Sequence, residues 1–281
     1  MNTEPEKVPI QIKPKDYKSA IKPVWCPGCG DFAVLNAITK ALAYLGLPNE
    51  QVAFITGIGC SSRIAAYTSL YGFHGVHGRA LALAGGLKAA RKDLTVLVAG
   101  GDGDGLSIGG NHFIHACRRN MDMTYIIMDN EVYGMTKGQA SPTTASDWTK
   151  SKLTPQGSGI RPFQPAGLAL TSGASFIARG FTGDPNGLAR MLVAAIEHKG
   201  FSFVQAMSPC PTFRPEQMNW KHQVKPFAEE PTADTIVAAQ RIQADDGMST
   251  GIIFKREYPV FQPGNGGGTH DVSLFESEFE I

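Results

Sequence analysis

The alternation of short apolar runs with amphipathic stretches constrains this chain more than any other feature. Residues 52–58, 94–99, 123–128, 175–178 and 201–207 read as strands buried on both faces, because their apolar character is continuous rather than alternating. Helical patterns separate most of them. Residues 31–45 place Phe32, Leu35, Ile38, Leu42 and Leu45 on one face, with Asp31 as the expected N-cap and Gly46 just past the end. Residues 78–91 and 111–119 also read as helices, and 186–198 is a further one, started by Asp184-Pro185 and stopped by Gly200. Strands alternating with helices predict an α/β fold, a parallel sheet covered on both faces, with ligands at the carboxyl ends of the strands.

Outside this rhythm lie three regions. Residues 1–25 are lysine-rich with Pro5, Pro9, Pro14 and Pro23, an expected extended N-terminal segment ahead of a binding domain over 26–228. Within that domain, 134–172 is rich in Gly, Ser, Thr, Pro and Gln and reads as a functional loop or lid. Residues 229–281 contain Pro231, Pro259, Pro263 and a glycine run at 264–268, and end on Asp271, Glu276, Glu278 and Glu280 with no base. They read as a C-terminal arm contacting a partner chain, with a partly disordered tail as the alternative.

Composition excludes several classes. A net charge of +1 lacks the basic excess of a nucleic-acid binder. The central uncharged stretch, 162–178, is broken by Gly, Pro, Gln, Ser and Thr and cannot span a bilayer. The polar N-terminus has no apolar secretory core, so a cytoplasmic protein with reduced or metal-bound cysteines is expected.

The chemistry begins where the 94–99 strand runs into Gly100-Gly101-Asp102-Gly103-Asp104-Gly105. Glycines let backbone N–H groups approach phosphate oxygens, and a following helix adds favourable potential. A carboxylate in such a turn repels a diphosphate unless a divalent cation sits between them. The next strand ends at Asp129-Asn130-Glu131, and Asp102 and Asn130 lie 28 residues apart, one strand–helix–strand step. Their side chains therefore belong at adjacent strand tips, where a carboxylate, an amide oxygen and the Val132 carbonyl can share one Mg²⁺.

The sequences GDGDGLSIGGNH and DNEVYGMTKGQ, with WCPGCGD, GIGCSSR and HGVHGRA, resemble the beta subunits of the 2-oxoacid:ferredoxin oxidoreductases, over roughly residues 25–214. The resemblance implies a thiamine-diphosphate-binding (PP-domain) fold. It implies that Ile58, Gly59, Cys60 and Ser61 touch the cofactor and that Met135, in the run Tyr133-Gly134-Met135-Thr136, lies against thiazolium and substrate. Gly101, Gly103 and Asp104 complete the expected diphosphate turn. His77, opening a helix, is either a phosphate donor or a helix cap.

Four cysteines stand in Gly or Pro contexts, Cys26, Cys29, Cys60 and Cys210, and two of these follow strands that end on the same face as Asp102. Four thiolates there suit a [4Fe–4S] cluster, which the resemblance also implies. A Cys₄ zinc site is the rival, although only one CxxC pair is present, and a CxxC redox pair is a third possibility. Cys117, in a helical context, reads as a core residue.

The resemblance implies CoA-dependent oxidative decarboxylation of a 2-oxoacid to an acyl-CoA and CO₂, reversibly, with electrons passing to ferredoxin. It also implies that the glutamate activating the cofactor comes from a partner alpha (or fused gamma–alpha) subunit, within a dimer of alpha–beta heterodimers. Arg63, three residues past Cys60, is a candidate partner for a distal substrate carboxylate. That favours 2-oxoglutarate and succinyl-CoA, with a place in reductive carbon fixation, over pyruvate. A non-catalytic iron–sulfur electron carrier and a metal-dependent nucleotide-binding module are the other readings.

Overall fold

Helix α1 (Asp31–Leu45) has the span its periodicity predicts, and Gly46 closes it at φ 62°. Asp31 is not its cap, however. Gly30 holds that position, and Asp31 is buried in the first turn. The computed structural model describes residues 12–262. The chain continues through β1 (Val52–Thr56), β2 (Tyr71–His74), α2 (Ala80–Ala90), β3 (Thr95–Gly101), α3 (Gly110–Arg119) and β4 (Met123–Asp129). Next come α4 (Pro165–Thr171), β5 (Phe176–Phe181), α5 (Pro185–Glu197), β6 (Phe201–Met207), β7 (Lys225–Pro226), α6 (Thr235–Ala244) and β8 (Ser249–Lys255).

The sheet order is β2-β1-β3-β4-β6-β5-β8-β7. From β2 to β5 every pairing is parallel, and β8 joins β5 antiparallel. One face is covered by α2, α3, α4 and α6, whose core includes Leu81, Phe113, Tyr125, Phe203 and Phe254. The other lies under α1 and α5, around Ile38, Leu42, Phe54, Ile126, Phe176 and Leu188. Covering both faces makes the strands continuous apolar runs and directs ligands to the carboxyl edge. Cys117 is fully buried in the first of these cores.

Several boundaries move for local reasons. Gly78 sits at φ 67°, so α2 starts two residues later than its pattern suggests. Asp184 caps α5 by accepting from Gly187 N at 2.9 Å, and helix formation begins at Pro185. The loop expected over 134–172 contains α4, which the Gly and Pro content of its sequence conceals.

Residues 229–255 of the expected C-terminal arm pack on the domain itself. Asp234 caps α6 by accepting from Ile236 N and Val237 N, α6 packs beside α4, and β8 extends the sheet. The acidic end of the tail lies outside the described residues. At the other terminus the described residues are tied down rather than simply extended. Pro14–Tyr17 forms a 3₁₀ turn, and Tyr17, fully buried, donates to the Leu47 carbonyl at 2.7 Å. No described helix is long and apolar enough to cross a membrane.

Candidate active site

The carboxyl tips of β1, β3 and β4 converge because the turns after them are built from residues small enough to touch. A Cβ on Gly57 would lie 2.0 Å from Asp104 Oδ2, and one on Gly103 would lie 2.2 Å from the Tyr133 ring. Asp104 exploits this approach. Its Oδ1 accepts from Ile58 N at 3.0 Å, Gly78 N at 2.8 Å and His77 Nδ1 at 2.7 Å. One buried carboxylate thus ties the turn after β1 to the turn before α2, and the bond uses Nδ1 of His77. Asp104–Ile108 forms a turn of π-helix leading into α3, a distortion found frequently at functional sites.

These turns enclose a cavity of about 170 Å³, lined by Ile58, Gly59, Cys60, Ser61, His77, Gly101, Asp102, Gly103, Asp104, Asn130, Val132, Tyr133, Gly134, Met135 and Thr136. All the residues expected to meet the cofactor diphosphate and Mg²⁺ are therefore brought together. The volume is below the roughly 300–1,000 Å³ of a complete small-molecule site. Ile58 and Met135 on its wall are exposed. Arg63 is not among the lining residues. It is exposed on the 3₁₀ turn Ser61–Tyr67, with Nε donating to Tyr67 Oη at 3.2 Å.

Asp102 and Asp129 are both buried. The Thr143 hydroxyl lies between them, 2.8 Å from Asp102 Oδ2 and 2.9 Å from Asp129 Oδ1. Burial first, and then the charge of Asp129, push the Asp102 carboxyl above the usual carboxylate range, and burial does the same to Asp129. Buried carboxylates facing one hydroxyl call for a nearby positive charge to offset their desolvation. Asn130 Oδ1 accepts from Val132 N at 3.1 Å and keeps a second lone pair. A hard carboxylate oxygen and an amide oxygen at neighbouring strand tips fit Mg²⁺.

Beyond Asn130 the backbone is strained. Glu131 takes a φ of 54°, a conformation that costs on the order of 1–3 kcal/mol outside glycine. Arg214 holds it there, donating to the Glu131 carbonyl and to Oε2, each at 2.9 Å, and Thr144 Oγ1 donates to the same carbonyl at 2.6 Å. Burial pushes the Glu131 carboxyl up to about 7, with Asp129 adding to the effect. Sequence reading missed Thr143, Asp129, Gln205 and Arg214. Their signal is only that polar side chains buried at a strand edge need partners.

Cys26 and Cys29 precede α1, Cys60 follows β1 and Cys210 follows β6. The segments are joined by Gly30 N donating to the Pro209 carbonyl at 3.1 Å and by Trp25 Nε1 donating to the Cys60 carbonyl at 2.7 Å. Burial and the Asp31 carboxylate push the Cys29 and Cys60 thiols up, and Cys210 adds to both. A thiol raised in this way stays protonated unless a bound metal offsets the charge of its thiolate. Among the described residues, no group of three or more His, Cys, Asp or Glu side chains is placed to hold a metal ion.

Residues 57–206 match the thiamine pyrophosphate enzyme C-terminal TPP-binding domain. The chain is 52% identical over 201 residues to the 2-oxoglutarate oxidoreductase subunit KorB of Mycobacterium tuberculosis, a match covering 72% of this chain and 54% of that one. It is 42% identical to the 2-oxoacid:ferredoxin oxidoreductase subunit beta of Saccharolobus solfataricus, over 83% of this chain and 77% of the relative. Among solved structures it superposes on a chain of the 2-oxoglutarate:ferredoxin oxidoreductase of Magnetococcus marinus, solved with 2-oxoglutarate, coenzyme A and succinyl-CoA bound. The TM-score is 0.89 at 39% identity, with 97% of each chain covered. The cavity at the strand tips lies within the matched TPP-binding domain, and the chain belongs to the beta subunits of the thiamine-dependent 2-oxoacid:ferredoxin oxidoreductases.

Proposed function

We propose that this chain is the beta subunit of a 2-oxoglutarate:ferredoxin oxidoreductase, acting with an alpha or fused gamma–alpha partner on 2-oxoglutarate and CoA and passing electrons to ferredoxin. The observation that carries the reading is the single cavity at the tips of β1, β3 and β4, into which the glycine–aspartate turn and the Asn130–Thr136 segment both project. When bound, thiamine diphosphate supplies an electron sink for decarboxylation and a [4Fe–4S] cluster supplies one-electron acceptance.

The chain's own residues bind and orient. Asp102, Asn130 and the Val132 carbonyl would hold Mg²⁺ against the diphosphate. Glycine turns 57–59 and 101–103 allow close backbone approach, and Ile58 and Met135 would supply apolar contact to a bound cofactor and help to exclude water from it. Asp104 fixes the turn containing Ile58 and orients His77 beside it. Cys26, Cys29, Cys60 and Cys210 would hold the cluster. Four cysteines with only one close CxxC pair suit a cubane more than a tetrahedral zinc site, which usually has two such pairs. The cavity's partial volume supports a partner chain that completes the site and supplies the activating glutamate.

The choice of 2-oxoglutarate over pyruvate rests on the relatives and on Arg63, which forms no ion pair among the described residues. Arg63 lies outside the cavity lining but close enough to Cys60, which lines it, for its charge to lower that thiol, and a distal carboxylate bound at this rim would need such a cation. The test is a paired comparison of both substrates in the reconstituted complex. Arg63→Ile is expected to lower kcat/KM on 2-oxoglutarate roughly 10- to 150-fold, the worth of a hydrogen bond to a charged group, with little change on pyruvate. Equal losses on both would give Arg63 a general role and restore pyruvate as an equal candidate.

A further inference from the structure

The long segment after β4 returns to the strand tips in one place. Its turn Ser141–Thr144 is closed by Ser141 N donating to Thr144 Oγ1 at 2.7 Å, and it inserts Thr143 between the ends of β3 and β4. Thr143 is 7% exposed, and its hydroxyl meets a carboxylate oxygen on each strand.

A hydroxyl has one proton, so it donates to one of the two carboxylates. Asp129 already has two N–H donors. Gln205 Nε2 donates to its Oδ2 at 2.8 Å, and Glu131 N donates to its Oδ1 at 3.2 Å. The orientation of Gln205 is itself fixed, because Arg179 Nε donates to Gln205 Oε1 at 3.1 Å and the Arg179 guanidinium is held by Asp245. Asp129 is therefore a satisfied and immobilised acceptor. Asp102 has no backbone N–H or charged donor of this kind among the described residues; the side chains of Ser141 and Thr143, from the same turn, are what meet it, with the Thr143 hydroxyl aimed at its Oδ2. The proton belongs on that side, with the Asp129–Gln205–Arg179–Asp245 chain acting as the rigid backstop that sets where Thr143 stands.

We propose that Thr143 is a positioning residue for the metal end of the cofactor site: its hydroxyl fixes the Asp102 carboxylate in the one orientation that presents it to Mg²⁺. The inference rests on the thiamine-diphosphate reading above. It gives the middle of the segment 134–172 a function, since the turn Ser141–Thr144 that anchors it is also the support of a metal ligand. Carboxylate ligands are in general held by such outer hydrogen bonds, and losing one lowers metal affinity about 10- to 100-fold.

The experiment compares Thr143→Ser with Thr143→Ala in the full complex. Both lose the methyl group and differ only in the hydroxyl. The readout is the apparent Mg²⁺ dissociation constant at saturating thiamine diphosphate, followed by cofactor fluorescence, together with the thermal midpoint of the metal-free protein. T143S is expected to stay within about threefold of the unsubstituted protein, while T143A weakens Mg²⁺ about tenfold or more. A lowered metal-free midpoint shared by both variants, with equal Mg²⁺ affinities, would overturn the proposal and leave Thr143 a packing role. Should T143A not fold, T143V takes its place as the hydroxyl-free variant with the side-chain volume kept, read against T143S in the same way. Failure of the unsubstituted protein to bind thiamine diphosphate in a Mg²⁺-dependent way would instead refute the function proposed above.

Discussion

Ser208 Oγ donates to Asp31 Oδ1 at 2.8 Å, joining the end of β6 to the first turn of α1. The bond sets Cys29, two residues before Asp31, against Cys210, two residues after Ser208. Gly30 makes the approach possible, because a Cβ there would lie 2.5 Å from Ser208 Oγ. Gly30→Ala is therefore expected to force the two segments apart, costing about 1–3 kcal/mol as overpacking does. The checks are chemical denaturation and iron content. Loss of stability with iron fully retained would separate this contact from the cysteine site.

Cys26, Cys29, Cys60 and Cys210 are expected to hold about four irons per chain in anaerobically purified protein, as a [4Fe–4S] cluster requires. Cys117→Ala is expected to leave the iron and its visible absorption intact, at a stability cost of about 1 kcal/mol for a small core vacancy. Stoichiometric zinc without iron would reject the cluster assignment.

Asp104 holds two backbone amides, Ile58 N and Gly78 N, as well as His77. Asp104→Ala leaves both amides without their acceptor, at roughly 1–3 kcal/mol for each buried group left unpaired. A fall in the denaturation midpoint of that order, together with loss of thiamine diphosphate retention, is the expected outcome. An unaltered midpoint would show that the turns hold without it.

His198 carries a pH signature independent of the site. Its Nε2 lies 2.7 Å from Ser175 Oγ, which in turn donates to Asn120 Oδ1 at 2.6 Å, so the neutral ring donates through Nε2. Burial first, and then Lys255, lower its pKa from the ordinary 6.5, while Glu257 and Asp122 pull the other way. The unfolded chain therefore takes up a proton that the folded chain refuses. This contribution to stability is present above pH 6.5 and is lost as pH falls through that value toward the folded pKa. Denaturation of the metal-free chain at several pH values is expected to show a shallower decline for His198→Gln. An unchanged slope would remove His198 from the pH response.

Much of this architecture is legible from the sequence where local signals agree. Strand β6 is bounded by Gly200 and Ser208-Pro209, and α1 by Gly30 and Gly46, so pattern and punctuation coincide. β2 escapes such a reading because all four of its residues are exposed and it lies at the sheet edge. α6 and β8 are masked by the prolines around them, although Asp234 caps α6 in the ordinary way. The cavity wall is legible because each of its segments directly follows a strand, and chain order then dictates position in space. Thr143 is not legible. Its role comes from the space between two strand tips, and nothing in its neighbours along the chain points to Asp102.

The account turns on Asp102. Asp102→Asn keeps the shape of the side chain and removes the charge a divalent cation needs. The measurement is thiamine diphosphate retained by the purified complex with and without Mg²⁺, read by thiochrome fluorescence beside iron content and circular dichroism. The account predicts Mg²⁺-dependent retention in the unsubstituted protein and its loss in the variant, with fold and iron unchanged. Equal retention in both, or retention indifferent to Mg²⁺, would contradict it.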